Sequence, residues 1–312
     1  MVIIDTLTKR TIDRPTAIAL GYFDGVHLGH RAVILAARSR KQQGLATAVF
    51  SFAVTTQNPE SGKGRTNIIT STLKCEQMRL LGVDYFVLPD FSEFKGLSPS
   101  EFIDLLVTNL GVREIFCGAN FRFGKGAKGD TALLLDLCRE RGVKLSIVPD
   151  VRKEGSPVSS SRIRALLAEG DVGGAADLLG RPYSYDCPVV QGRHLGRTIG
   201  APTINQYFEP QLLVPRYGVY ASFVRIDGNV LPCVTNIGTR PTVDKDIPPL
   251  SETCILDYSG DLYGKRVEVN LIRFIRPEQR FDSVEELGAA ISRDIQTVRD
   301  HFDEWYSEVV PK

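Results

Sequence analysis

Apolar runs of strand length alternate with amphipathic stretches over the first half of the 312-residue chain. The strand-like runs are 16–22, 46–52, 84–89, 112–118 and 144–149, and helical spacing between them predicts helices near 32–43, 71–81, 99–110 and 131–141. The third helix is the best signed, with Ser98 as N-cap, Pro99 in the first turn and Glu101 completing a capping box. Strand–helix alternation sustained five times predicts an α/β, doubly wound parallel sheet. Ligands of such sheets sit beyond the carboxyl ends of the strands, which directs attention to the loops after Tyr22, Phe52 and Gly118.

The pattern changes after Gly180-Arg181-Pro182. Period-two or β-rich segments follow at 219–226, 230–236, 253–258 and 267–274, separated by turn signals such as Asp227-Gly228 and Ser259-Gly260-Asp261. A closing helix is predicted over 284–302. The expectation is a small antiparallel β-barrel with a terminal helix, and two domains, 1–183 and 184–312.

A composition of 43% hydrophobic and 24% charged residues is that of a folded globular chain and excludes disorder for most of it. A net charge of +1 is too small for a protein coated in nucleic acid, and no nucleic-acid partner is expected. The first 183 residues are net positive and the remainder net negative, which suits either an anionic ligand on the first part or ordinary surface variation. The start turns polar at Asp5 and no run of about 18 apolar residues occurs, so neither a signal peptide nor a membrane span is expected. Six scattered cysteines lack C-x-x-C spacing and histidine partners. They read as reduced thiols of a cytoplasmic protein rather than a disulfide framework or zinc site.

Candidate chemistry begins after the first strand, at Gly21-Tyr22-Phe23-Asp24-Gly25-Val26-His27-Leu28-Gly29-His30. Gly25 and Gly29 permit close backbone approach, the helix start offers free N–H groups to a phosphate, and two imidazoles can donate to a developing oxyanion. The alternatives are a plain turn with exposed histidines, or a metal pair with only Asp24 nearby to complete it. Ser159–Ser161 are natural N-caps whose hydroxyls, with Arg162 and Arg164, suit a triphosphate, against a bland reading as a capped helix with surface arginines. Gly192, Gly196 and Gly200 recur with Arg193 and Arg197 between them, as a phosphate-wrapping loop or a loose hairpin would. Thr203 and Asn205 supply hard oxygens of the kind Mg²⁺ accepts beside ATP phosphates. A rival reading rests on Gly124–Gly129, which fits G-x-G-x-x-G with Asp150 about 20 residues on, as a dinucleotide oxidoreductase requires; but Ala119–Phe123 intervene where the fingerprint expects an immediate turn. No Walker A sequence is present.

Several of these segments, in order, resemble the prokaryotic bifunctional riboflavin kinase/FMN adenylyltransferase (FAD synthetase) family. Residues 21–30 resemble its G-x-F-D-G-x-H-x-G-H signature, Gly118–Gly124 with Gly129-Asp130 its G-x-N-F-x-F-G loop, and Val158–Arg164 its I-S-S-T-x-I-R segment. Pro202-Thr203-Ile204-Asn205 with its glycine-rich lead resembles the P-T-A-N motif, and 235–242, 252–257 and 260–265 continue the match. The resemblance implies two activities on two domains, phosphorylation of riboflavin in the barrel and adenylylation of FMN in the α/β domain, with riboflavin, FMN and ATP as substrates and Mg²⁺ as cofactor. It implies that His27 and His30 are catalytic, and that Gly21, Phe23, Asp24, Gly25, Gly29, Ser160, Ser161 and Arg164 hold nucleotide phosphates, with Gly196 and Gly200 doing so in the barrel. Asn120 is implied as substrate-binding, Thr203 and Asn205 as metal ligands, and Glu252 as the general base, which as a lone residue reads as a solvated strand-edge carboxylate.

The chain departs from the family at one functional place. After the second strand the family reads T-F-D-P-H-P, whereas Ala53 and Thr55 stand here for the aspartate and histidine. This predicts weakened FAD formation, or in the alternative a riboflavin kinase whose first domain is a degenerate, ligand-binding or regulatory one. Ile204, Gln206 and Cys254 are smaller departures that spare the implied ligands.

Overall fold

The structure is a computed structural model that describes residues 1–7, 12–52, 66–192, 202–239 and 248–310. Contacts divide the chain into two compact units, one of Met1–Arg65 with Ser71–Val158, the other of Thr66–Thr70 with Ser159–Lys312.

The first unit contains β1 (Val2–Ile4), β2 (Thr16–Leu20), α1 (Leu28–Arg38), β3 (Ala46–Phe50), α2 (Ser71–Leu80), β4 (Tyr85–Val87), α3 (Pro99–Leu110), β5 (Val112–Gly118), α4 (Thr131–Glu140) and β6 (Lys144–Val148). A small hairpin, β7 (Arg152–Lys153) and β8 (Ser156–Pro157), follows. The six long strands form one sheet in the order β1-β4-β3-β2-β5-β6, parallel at every pairing, as the alternation predicts. Every residue of β2 and β3 is buried, which is what a strand covered on both faces requires and why both read as unbroken apolar runs. From β2 the chain goes to β3 on one side and later returns to β5 on the other, so the order reverses at β2 and leaves a crevice at the carboxyl ends of β2 and β5.

The capping box of α3 forms as read: Ser98 Oγ accepts from the Glu101 N–H at 3.3 Å, and the Glu101 carboxylate accepts from the Ser98 N–H at 2.7 Å. Several elements differ from the sequence reading, the β7–β8 hairpin among them. Strand β1 was not foreseen, because three residues before Asp5 are too few to show a period. Helix α1 starts at Leu28 rather than near 32, because His27 caps it, and gives way to a 3-10 helix at Ser39–Gln43.

The second unit contains α5 (Ser160–Glu169), α6 (Val172–Leu179), β9 (Tyr183–Tyr185), β10 (Thr203–Tyr207), β11 (Gly218–Ile226), β12 (Asn229–Gly238), β13 (Leu250–Ile255), β14 (Val269–Arg276) and α7 (Val284–Val309). The strands are ordered β10-β13-β12-β11-β14-β9, antiparallel throughout. Beyond β9 the chain carries the sheet round toward closure through single bridges, Pro188 to Arg266 and Val190 to Asn205. The antiparallel sheet with a terminal helix is as expected, although α7 runs on to Val309. Its Val298, Phe302 and Val309 pack with Val219, Ala221, Phe223 and Ala176. Ala176 lies on α6, so the two helices before residue 183 join the second unit by contact, while the change in composition falls at their end.

The other face of this sheet carries a line of hydroxyls that bond to one another. Tyr185 Oη meets Ser251 Oγ at 2.6 Å, Ser251 meets Thr253 at 3.3 Å, Thr253 meets Thr235 at 2.9 Å, and Thr235 meets Ser222 at 2.7 Å. Gln206, where the family has an apolar residue, donates from Nε2 to the carbonyls of Cys187, at 2.5 Å, and Val267, at 2.8 Å. It thereby ties the chain after β9 to the approach to β14, which accounts for the departure.

Candidate active sites

In the first unit the turn after β2 is shaped by strain and close packing. Phe23 and Val26 take positive φ values of 54° and 44°, uncommon for a bulky and for a β-branched residue, and Gly25 sits at 81°. Both side chains are buried and hold the turn in that shape. A Cβ on Gly21 would lie 2.9 Å from the Phe23 ring, and one on Gly29 would lie 3.2 Å from the His27 ring and 3.6 Å from the Val158 carbonyl. A side chain at Gly21 would displace the Phe23 ring, and one at Gly29 would press on the His27 ring.

The histidines come together. His27 is the N-cap of α1, its Nδ1 accepting from the His30 backbone N–H at 3.2 Å, and the two rings stack 3.5 Å apart. Because Nδ1 accepts, a neutral His27 carries its proton on Nε2. The His30 ring stands edge-on to Phe23 at 5.3 Å, and its Nδ1 is buried with no hydrogen-bond partner among the described residues. Burial first, then His27 and Lys74, hold the His30 pKa well below the usual histidine value. His30 is therefore a neutral imidazole at physiological pH. Asp24 is buried in the same turn, at 4% exposure.

Sequence reading missed Lys74 here. It is 7% exposed on α2, and its ammonium donates to the Tyr22 carbonyl at 2.5 Å and to Ser51 Oγ at 2.7 Å, with its Nζ 4.7 Å from the centre of the Tyr22 ring. Burial lowers its pKa to about 8, opposed by the nearby Asp24 charge. A single lysine in an amphipathic helix carries no sequence signal; only its burial marks it.

Asn120 is exposed in the turn after β5, its Oδ1 3.5 Å from where a Gly118 Cβ would stand. Since β5 lies beside β2, this turn and the histidine turn share one edge of the sheet. The run Gly124–Gly129 does not follow β5 directly and holds a short 3-10 turn at Lys125–Ala127: Gly124 packs on Pro99, Gly129 packs on the Phe123 ring, and Asp130 caps α4 by accepting from the Leu133 N–H at 3.0 Å. The dinucleotide reading lacks the immediate turn from strand to glycines that the fingerprint needs, since residues 119–123 separate β5 from Gly124. The loop with Ala53 and Thr55 lies outside the described residues.

In the second unit α5 begins at Ser160, with Ser159 as its cap accepting from the Arg162 N–H at 3.3 Å. Ser160 and Ser161 thus occupy the first helical turn, among the N–H groups that suit an anion. Arg164 Nε donates to the Thr66 carbonyl at 3.1 Å.

Strand register builds the other candidate site. Asn205 of β10 pairs with Glu252 of β13, which pairs with Asn236 of β12, so the three lie in one row on one face. Thr203, two residues from Asn205, shares that face. Asn205 is buried against Gly192, where any Cβ would collide with its amide, and its Nδ2 donates to the Thr203 carbonyl at 3.4 Å. Glu278 joins the row unforeseen: its carboxylate fills the space where a Cβ on Gly238 would stand. Its pKa is raised by burial and by the Glu252 charge, against a hydrogen bond from Asn236. Gly196 and Gly200 lie outside the described residues. Among the described residues no group of three or more His, Cys, Asp and Glu side chains is placed to hold a metal, and no helix is long and apolar enough to cross a membrane.

Comparison with known proteins agrees with the division of motifs. An FAD synthetase family profile matches residues 9–162 and a riboflavin kinase profile matches 179–302. Proteins named bifunctional riboflavin kinase/FMN adenylyltransferase are similar over nearly the whole chain: one from Listeria monocytogenes is 34% identical, covering 95% of both chains, and one from Escherichia coli K12 is 37% identical, covering 91% of this chain and 92% of its own. A solved structure described as a macrolide-efflux protein from Streptococcus pneumoniae superposes with a TM-score of 0.83 at 28% identity, covering 96% of this chain and 98% of its own.

Proposed function

The chain belongs to the bifunctional riboflavin kinase/FMN adenylyltransferase family, and from that membership we propose an enzyme with two sites, one phosphorylating riboflavin to FMN, the other adenylylating FMN to FAD. The observation that carries this reading is the pairing of each family match with its own polar constellation, the histidine turn in the α/β sheet and the Asn205–Glu252–Asn236 row in the antiparallel one. We assign adenylylation to residues 1–183 and phosphorylation to 184–312, by the order of the motifs. An enzyme fed by ATP and flavin, without a membrane-crossing helix among its described residues, suits the cytoplasm.

For phosphorylation, Glu252 takes the proton of the riboflavin ribityl hydroxyl as that oxygen attacks the γ-phosphorus of ATP and ADP departs. Thr203 and Asn205 offer neutral oxygens on one face, a sparse donor set that fits Mg²⁺, which binds few protein ligands alongside nucleotide phosphates. Bound there, Mg²⁺ would offset the phosphate charge. Gly196 and Gly200 are assigned to the same phosphates by the family motif.

For adenylylation, a phosphate oxygen of FMN attacks the α-phosphorus of ATP and pyrophosphate leaves. His27 donates from Nε2 and His30 lies stacked beside it, aimed at charge growing on the α-phosphoryl group and the leaving pyrophosphate. Gly21, Phe23, Asp24, Gly25 and Gly29 shape the turn that receives the nucleotide, Ser160, Ser161 and Arg164 are assigned to its phosphates, and Asn120 to the flavin substrate. Incubation with riboflavin, ATP and Mg²⁺, followed by chromatographic separation of the flavins, tests the reading. FMN and FAD should both appear, and the absence of both would overturn it.

A further inference from the structure

Lys74 stands outside every motif above, yet it is the buried cation beneath the histidine turn. Three observations bear on it. Its ammonium bridges the Tyr22 carbonyl, just past the end of β2, and Ser51 Oγ, just past the end of β3. Ser51 Oγ itself donates to the same Tyr22 carbonyl at 2.8 Å, so the three groups close a triangle across the carboxyl ends of adjacent central strands. Tyr22 is followed directly by Phe23, the first residue of the strained turn, so whatever fixes the Tyr22 peptide fixes the entry to that turn.

We propose that Lys74 is a positioning residue for adenylyl transfer: its ammonium clamps the carboxyl ends of β2 and β3 and sets the turn on which His27 and His30 are presented. This rests on the assignment of adenylyl transfer to those histidines. Burying a cation is costly, and such costs are retained where positioning demands them. The charge has a second consequence. Among the described residues the ionisable groups facing it are Asp24 and His30 of the turn and Cys75 on its own helix. Asp24 favours the ammonium, while the ammonium disfavours a second positive charge on His30. Lys74 therefore helps to keep His30 neutral. It loses its own proton near pH 8, and the clamp then loses its charge.

The test compares Lys74→Met and Lys74→Arg with the parent protein by two readouts. The first is adenylylation of supplied FMN from pH 6 to 9.5, with riboflavin phosphorylation as the internal control for folding. Lys74→Met should lower the adenylylation rate about 10²-fold, the cost of misplacing reacting groups by about 1 Å, and leave phosphorylation unchanged. Lys74→Arg should restore much of the rate and carry it past pH 8 to the alkaline side, because its charge persists. The second readout is NMR titration of labelled histidines, which needs no turnover: the His30 pKa should rise in Lys74→Met and stay low in Lys74→Arg. Parental adenylylation by Lys74→Met, or an alkaline limit unmoved by Lys74→Arg, overturns the proposal. If Lys74→Met does not fold, the alkaline limit of Lys74→Arg decides alone. If the parent protein forms no FAD at all, the adenylyl-transfer reading has failed instead, and the histidine titration still decides whether Lys74 governs His30.

Discussion

The backbone N–H of His30 donates to Nδ1 of His27 at 3.2 Å, while the two imidazoles stack 3.5 Å apart. One ring thus caps the helix, and in the proposed adenylyl transfer it also donates to the nucleotide, so that the two duties use opposite nitrogens. Asparagine is a strong N-cap but has no donor where Nε2 stands. His27→Asn should therefore keep the thermal stability of the first unit while FAD formation falls about 10²–10³-fold, the cost of one oxyanion donor. FMN formation should persist. Normal FAD formation by this variant, followed chromatographically, would reduce His27 to a cap.

His30 makes the first unit sensitive to acid. Its pKa in the folded chain lies well below the ordinary value, through burial, then His27, then Lys74. A histidine held neutral by the fold binds fewer protons folded than unfolded in the window below about pH 6.5. Its contribution to stability is complete above that pH and is lost as pH falls. Thermal unfolding measured from pH 8 to 5 should show the loss, and His30→Gln, which does not titrate, should flatten it. Equal slopes in the two proteins would contradict the assignment.

Glu252 lies between Asn205 and Asn236 in a row set by strand register. Glu252→Gln keeps the shape and removes the proton acceptor. FMN formation should fall by about 10²–10⁴-fold, with adenylylation of supplied FMN intact. Loss of adenylylation alone would mean that the residue serves the other reaction.

The substituted loop gives a prediction from sequence. With Ala53 and Thr55 where the family has aspartate and histidine, FAD formation should lag behind FMN formation, so that FMN accumulates. The double substitution Ala53→Asp with Thr55→His should raise FAD formation, since a polar contact at a partly desolvated phosphate is worth a few kcal/mol. A parent protein that makes FAD as readily as FMN, and gains nothing from the pair, would show that the loop never limits the reaction.

Much of the fold was legible because its signals are local. The capping box at Ser98 and Glu101 and the buried runs of β2 and β3 announce themselves within a few residues. The histidine turn was legible as a motif, but not that His27 caps α1, since imidazole is an unusual cap. Lys74 and Glu278 were invisible for a different reason. Each owes its character to burial and to neighbours distant in sequence, Tyr22 and Ser51 for the one, Gly238 and Asn236 for the other. Gln206 read as a departure from the family, and only the carbonyls of Cys187 and Val267 give it a purpose.

The chain of hydroxyls from Tyr185 through Ser251, Thr253 and Thr235 to Ser222 acts as a key against mis-threading. An apolar lining would accept a strand shifted along its neighbour at modest cost, since one methyl group packs much like the next. Hydroxyls do not, because each needs its own partner and an unpaired one in the interior is expensive. A slip of β13 by one residue would strand these groups and turn Glu252 inward, since side chains alternate between faces. The hydroxyl side of the sheet thus indexes the side that carries Glu252. Replacing Thr253 by valine, though nearly equal in volume, removes a tooth from that key, and its mark would be a population of misaligned strands rather than a simple loss of packing.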